Sequence, residues 1–397
     1  MPTRPRITDE QRRARQWRRQ HLDRSGPADV SAVADALVAL HATTASTVYL
    51  STWARSPHLS IADVDAALYA DRDVVKHLGM RRTLFVTSHP VLDEVLGAVS
   101  DRVAASERTN MLRDLRRSPD VADPEGWIEE ACAAALTALA AGGPMTTAQL
   151  REAVPILGTP IGEPPESSWG GPLQMGARVL NYLAASGRIV RGPDDGPWYT
   201  SRITWEPMDR WLRREPAGLD VDEGHAGLIR RWLAVYGPGT ETDIVWWLGS
   251  TKAAVRRALA AIGAVEVDLD DGQVGYVLPE DVDADEPEPD GVALLPELDP
   301  TTMGHKERAF YLADLEKQLF DRNGNGGSTA WWAGRAVGGW RPCADGGGID
   351  LVLCEKVPAR VERALRERGE QLAAWCAPAP IPRGVYLGPL QKSAGTG

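Results

Sequence analysis

One pattern occurs twice in the chain, a Gly-Pro-x-Thr turn followed three residues later by a polar side chain. It reads Gly143-Pro144-Met145-Thr146-Thr147-Ala148-Gln149 and, 94 residues on, Gly237-Pro238-Gly239-Thr240-Glu241-Thr242-Asp243. Each copy follows an amphipathic stretch, 127–141 and 224–236, and each threonine is placed to cap a second helix. Third helices are expected at 177–186 and 251–262, each followed by a glycine and a pair of alternating strands. The pairs are 188–191 with 198–200, turning at Gly192-Pro193-Asp194-Asp195-Gly196, and 265–268 with 274–277, turning at Asp270-Asp271-Gly272. Three helices and a β-hairpin make a winged helix, a helix-turn-helix variant whose third helix commonly enters the major groove.

A less regular copy precedes these, with helices at 30–40, 47–55 and 61–69 and strands at 74–78 and 83–87. Its turn, Gly79-Met80-Arg81-Arg82, carries two arginines, whereas the later turns carry Asp194, Asp195, Asp270 and Asp271, which repel phosphate. Only the first wing is thus built to touch DNA. The acidic, proline-containing run from Asp281 to Asp290 marks a boundary. Short apolar runs at 292–295, 328–332 and 349–353, then a helix at 359–375, form a small β domain beyond it.

A chain of 397 residues exceeds what one core usually supports, about 250 residues. The expected fold is α+β, with a basic N-terminus and first winged helix in 1–120, the second in 121–215, the third in 216–285 and the β domain in 291–397. Net charge is −11, which argues against non-specific nucleic-acid binding, because duplex affinity comes largely from cations at phosphates. The charge is unevenly spread, however: residues 1–117 hold 18 Lys and Arg against 14 Asp and Glu, so the basic third is the candidate DNA face. Solvated surface is the plain alternative for any single arginine.

Cys132, Cys343, Cys354 and Cys376 form no CxxC pair and have no histidine at a zinc-ligand spacing, so reduced, mostly buried thiols and no metal are expected. The arginine-rich N-terminus has no apolar core for a secretory signal, and no apolar run approaches the roughly 20 residues of a membrane span. A cytoplasmic protein without a membrane partner is expected.

Four stretches together resemble the winged-helix DNA glycosylases of the AlkZ and YcaQ type, over most of the chain. They are Leu40-His41-Ala42-Thr43 leading into Tyr49-Leu50-Ser51-Thr52-Trp53-Ala54-Arg55; Met80-Arg81-Arg82-Thr83-Leu84-Phe85-Val86; Asp243-Ile244-Val245-Trp246-Trp247-Leu248-Gly249; and a C-terminal pattern. That last pattern runs Leu294-Leu295-Pro296-Glu297-Leu298-Asp299-Pro300, Met303-Gly304, Arg308 and 334–341. The resemblance implies three tandem winged helices curled into a C-shape, a C-terminal β-barrel, and a catalytic motif at the end of the first helix. The motif is Gln-x-Gln or Gln-x-Asp in characterised members, and here it reads His41-Ala42-Thr43.

The implied activity is hydrolysis of the bond joining an N3- or N7-alkylated purine to its sugar in duplex DNA, with no cofactor. Such a base is cationic and leaves neutral without a general acid. A neutral imidazole near its usual pKa of about 6.5 serves as base towards the attacking water, and Thr43 orients that water. Side chains at i and i+2 of a helix point about 200° apart, so His41 and Thr43 converge only if the helix ends there. The residues 42–47 are rich in cap formers and fit such an end; the alternative is that both side chains merely cap helices.

Arg81 and Arg82 are expected along the minor groove, with Arg55, Lys76 and His77 on the same concave face, or Arg55 in a structural ion pair. The family pattern brings Arg308 and Trp340 near the site. Trp205, Trp211, Trp232, Trp246 and Trp247, with Trp340, are expected to pack the modules together. No lysine lies near His41 along the chain, so a monofunctional enzyme without lyase cleavage is expected. A C-shaped array encircling one side of a duplex acts as a monomer. A non-catalytic DNA-binding or regulatory protein is the competing reading, and an interaction scaffold is a third, in keeping with the charge.

Overall fold

Each threonine of the repeated turn opens a helix: Thr146 caps Thr147–Ala153 and Thr240 caps Glu241–Leu248, the hydroxyl accepting the N–H of Gln149 or Asp243. Both threonines also end two-residue strands, so each turn is tied to a helix on one side and a sheet on the other. The chain is seen in a computed structural model that describes residues 4–118, 121–161, 174–284, 286–344 and 347–393.

In chain order the first strands are β1 (Arg6–Ile7), β2 (Leu40–His41), β3 (Val74–Leu78), β4 (Leu84–Ser88), β5 (Met145–Thr146), β6 (Ile189–Arg191) and β7 (Thr204–Pro207). There follow β8 (Gly239–Thr240), β9 (Val265–Leu269), β10 (Val274–Val277), β11 (Val292–Leu295), β12 (Thr329–Trp332), β13 (Arg335–Pro342) and β14 (Ile349–Leu353). Three sheets share one order, β2-β4-β3, β5-β7-β6 and β8-β10-β9, with the short strand always against the later strand of the hairpin. β1 extends the third sheet, parallel to β9. Leu40–His41 therefore stands where Met145–Thr146 and Gly239–Thr240 stand in the other two.

The architecture is α+β, and it departs from the sequence expectations at three places. The first helix stops at Asp35 instead of reaching residue 40; Val38 takes a left-handed φ of 62° and the chain turns into β2. The partner of β6 is Thr204–Pro207 and not 198–200. Trp198 leaves the ladder to pack its ring 5.0 Å from Tyr49 and 6.1 Å from Trp375, which lengthens the hairpin connection. In place of a barrel, β11-β12-β13-β14 is an open antiparallel meander, backed by the helix Ala359–Cys376 against β11 and β14. The strand β13 is masked in the sequence by its glycines; a Cβ on Gly338 would lie 2.2 Å from the Val352 carbonyl oxygen, so the approach of β14 demands glycine there.

The basic N-terminus is spent on the acidic third module. Arg4 pairs with Glu266, Arg6 with Asp270 at 2.8 Å, and Arg19 with Asp281 at 2.9 Å. The aspartate of that hairpin turn is thus a tether for the N-terminal arm, and these arginines are not a free DNA face. The first module is fastened to the C-terminal sheet by Arg55, whose guanidinium forks onto Asp299 at 2.7 and 2.8 Å with both side chains buried. Ser51 and the N–H of Thr301 also donate to Asp299, so every oxygen of the carboxylate is satisfied. Cys376 is buried and the other three cysteines half-buried, and no disulfide joins them. Among the described residues no helix is long and apolar enough to cross a membrane.

Candidate active site

His41 ends β2, opposite Phe85 of β4, whose ring meets the imidazole edge-on at 5.2 Å. The N–H of Ala42 continues the ladder to the Leu84 carbonyl at 2.9 Å, so the chain is extended through the motif. His41, Ala42 and Thr43 all line one cavity of about 440 Å³, which falls in the range of small-ligand sites, about 300–1,000 Å³. A strand, and not a helix end, brings the pair together.

Three parts of the chain wall this cavity: the first module through His41, Thr43, Lys76 and Arg82, the second through Arg191 and Asp194, and the C-terminal domain through Asn325 and Tyr386. Lys76, on β3, is buried and donates to Asp194 Oδ2 at 2.9 Å and to the Tyr69 hydroxyl, which in turn donates to the same carboxylate oxygen at 3.3 Å. Burial lowers the ammonium pKa, and the Asp194 carboxylate opposes that shift. Arg191 stacks on Trp205 at 4.3 Å, its Nε without a hydrogen-bond partner, and burial lowers its pKa to about 10.

Burial, then the nearby Arg81 charge, lowers the His41 pKa to about 3, so the ring is neutral at physiological pH. Nδ1 accepts a long hydrogen bond from the Thr43 N–H at 3.4 Å. The neutral ring therefore carries its proton on Nε2, where it is a donor. A general base would need the other tautomer, with Nε2 unprotonated.

The expected DNA contacts divide. Arg82 is exposed and lines the cavity, its guanidinium paired with Glu107. Arg81 instead stacks on Trp246 at 3.9 Å, with its turn seated against Gly249, where a Cβ would lie 3.1–3.3 Å from Arg81. Both arginines take left-handed φ values, 54° and 60°, which that docking holds in place. Arg55 is the structural ion pair described above. His77 is buried, bonded to Ser100 at 3.2 Å and lowered by burial to about 4. Arg308 is buried against Phe320 at 4.4 Å and Trp246 at 5.4 Å, and Trp340 is a core residue donating to the Leu295 carbonyl at 2.9 Å. Arg55, His77, Arg308 and Trp340 cannot reach a duplex, because each is enclosed by protein.

Sequence reasoning placed Lys76 on the concave face and missed its partner Asp194, read as a phosphate-repelling turn residue; no local pattern marks that pairing. The Trp198 contacts fold the connection over the first module, and this carries Asp194 to Lys76. Lys76 lines the same cavity as His41, although the ladder sets His41 in the row of Phe85 and His77, and Lys76 in the row of Leu40 and Val86.

A solved structure of the same fold is that of a DNA glycosylase: Streptomyces sahachiroi DNA glycosylase AlkZ, 20% identical, covers 95% of this chain and 99% of its own, with a TM-score of 0.72. No curated protein matches the sequence. The family model of the DNA glycosylase AlkZ-like proteins matches residues 34–375, and the chain belongs to that family.

Proposed function

We propose that the cavity receives the nucleotide bearing an N3- or N7-alkylated purine in duplex DNA, including bulky natural-product adducts, and that water held by His41 and Thr43 hydrolyses its N-glycosidic bond. The observation that carries this reading is the joint presence of His41, Thr43 and Asp194 around one cavity in a member of a DNA glycosylase family. The alkylated base departs neutral, so the protein needs only to hold the water and stabilise positive charge at C1′. His41 Nε2–H donates to the water oxygen, the Thr43 hydroxyl orients it, and Asp194 faces the developing cation and takes the water's proton. Arg82 and Arg191 line the same cavity and offer guanidinium groups to the flanking phosphates.

Three sheets of one strand order, each with its helices, support a reading as three tandem winged helices. The test is incubation with duplex carrying N7-methylguanine, and separately with duplex treated with a bulky intercalating alkylator, followed by hot alkali. Strand cleavage at the lesion that is lost in His41→Ala and Thr43→Ala is the expected result. Duplex binding without cleavage on either substrate moves the reading to a non-catalytic DNA-binding protein.

A further inference from the structure

A buried amine beside a carboxylate, on the wall of a cavity that receives a sugar, has a chemistry that hydrolysis of the base does not use. Lys76 Nζ is held 2.9 Å from Asp194 Oδ2 and against the Tyr69 hydroxyl, and the lysine, the aspartate and His41 all line the same space. The hydrogen bonds that Lys76 and Tyr69 donate to Asp194 both end on Oδ2, which leaves Oδ1 clear of either group. The lysine side chain is 5% exposed, and Lys76 lines the cavity. We infer that Lys76 forms a Schiff base with the abasic sugar and that the protein cleaves the strand at abasic sites, with Asp194 as its proton carrier. This rests on the reading that the cavity receives DNA, and it replaces the expectation of a monofunctional enzyme.

The step balances without a cofactor. Asp194 takes a proton from the ammonium, and the free amine adds to the C1′ aldehyde of the ring-opened sugar. The protonated Asp194 returns its proton to the carbinolamine hydroxyl, water leaves, and an iminium joins Nζ to C1′. The carboxylate then takes a C2′ proton; the electron pair forms the C2′–C3′ double bond and the C3′–O bond breaks, releasing the 3′ phosphate. Water hydrolyses the imine and restores the lysine. Desolvation of the ammonium favours the neutral amine that the first step requires.

The experiment uses the full chain and a duplex oligonucleotide with one preformed abasic site, so that base excision is bypassed. Sodium borohydride reduces an imine to a stable amine. A covalent protein–DNA band is expected, with the adduct mapped by mass spectrometry of the tryptic peptides to Lys76 and the yield down at least roughly tenfold in Lys76→Arg, whose guanidinium is no nucleophile. No band with the unaltered protein, or an adduct mapped to another amine, overturns the inference even if Lys76→Arg folds poorly. Release of N7-methylguanine without trapping refutes the lyase step and leaves the proposed function standing. Trapping at Lys76 without base release supports the lyase and refutes the proposed base excision.

Discussion

Lys76 and Asp194 lie 118 residues apart in the chain and are joined at 2.9 Å across one wall of the cavity. The pairing makes a single site from two modules that each fold around a core of their own. Its cause is the long connection between β6 and β7, pinned by Trp198 between Tyr49 and Trp375. A regular two-residue hairpin turn there would have left Asp194 in solvent.

The tautomer of His41 gives a direct expectation. A donor at Nε2 is kept by an amide, so His41→Gln should retain base release within about tenfold, while His41→Phe should lose roughly a hundredfold or more. With its pKa lowered to about 3, His41 also puts no inflection near 6.5 into the pH profile. Single-turnover release of N7-methylguanine from pH 5.5 to 8 measures both, and an inflection near 6.5 that vanishes in His41→Gln would restore the general-base role.

Arg55 and Asp299 are both buried, and removing one partner strands the other's charge. Arg55→Met should therefore destabilise by about 3–5 kcal/mol, and Arg55→Met with Asp299→Leu by much less. Urea unfolding midpoints decide this. Equal midpoints for the single variant and the unaltered protein would refute the assignment of Arg55 as a structural tie.

Acid should unfold the protein through its buried histidines. His41 and His77 are lowered to about 3 and 4, and burial lowers His305 as well, against 6.5 in the unfolded chain. Below about pH 6.5 the unfolded chain binds protons that the folded one refuses, so their stabilisation is complete above that pH and is lost as pH falls towards 4. Each should contribute about 1.4 kcal/mol per pH unit within that window. Unfolding free energies at pH 7, 6 and 5 should show the slope, and His77→Phe should lessen it; a flat profile would count against all three assignments.

The arginines of the first wing and of the N-terminal arm should separate by salt dependence. Arg82→Ala should reduce the slope of log affinity for duplex against log salt by about 0.9, the value for one phosphate contact. Arg6→Ala should leave it unchanged, because Arg6 is tied to the third-module hairpin by Asp270 and does not line the cavity. Fluorescence anisotropy across a salt series reads both, and equal slopes for the two variants would refute the division.

Short-range chemistry made much of the molecule legible in its residues. Thr146 and Thr240 cap helices because a hydroxyl at that place satisfies an N–H that the helix leaves open, and this needs no distant partner. The hairpins at 74–88 and 265–277 follow from alternation and turn chemistry in the same way. What a given side chain touches is a different matter. Arg55 and Arg82 look alike in sequence, yet one is sealed against Asp299 and the other pairs with Glu107 while staying exposed, and the docking of the C-terminal domain on the first module is what seals the first. Likewise the residues around His41 were visible, but Lys76 and Asp194 joined them through packing of Trp198 across three parts of the chain. Local hydrogen bonds are set by neighbours in sequence, whereas a cavity is set by which apolar faces meet, and that is decided only when the modules close on one another.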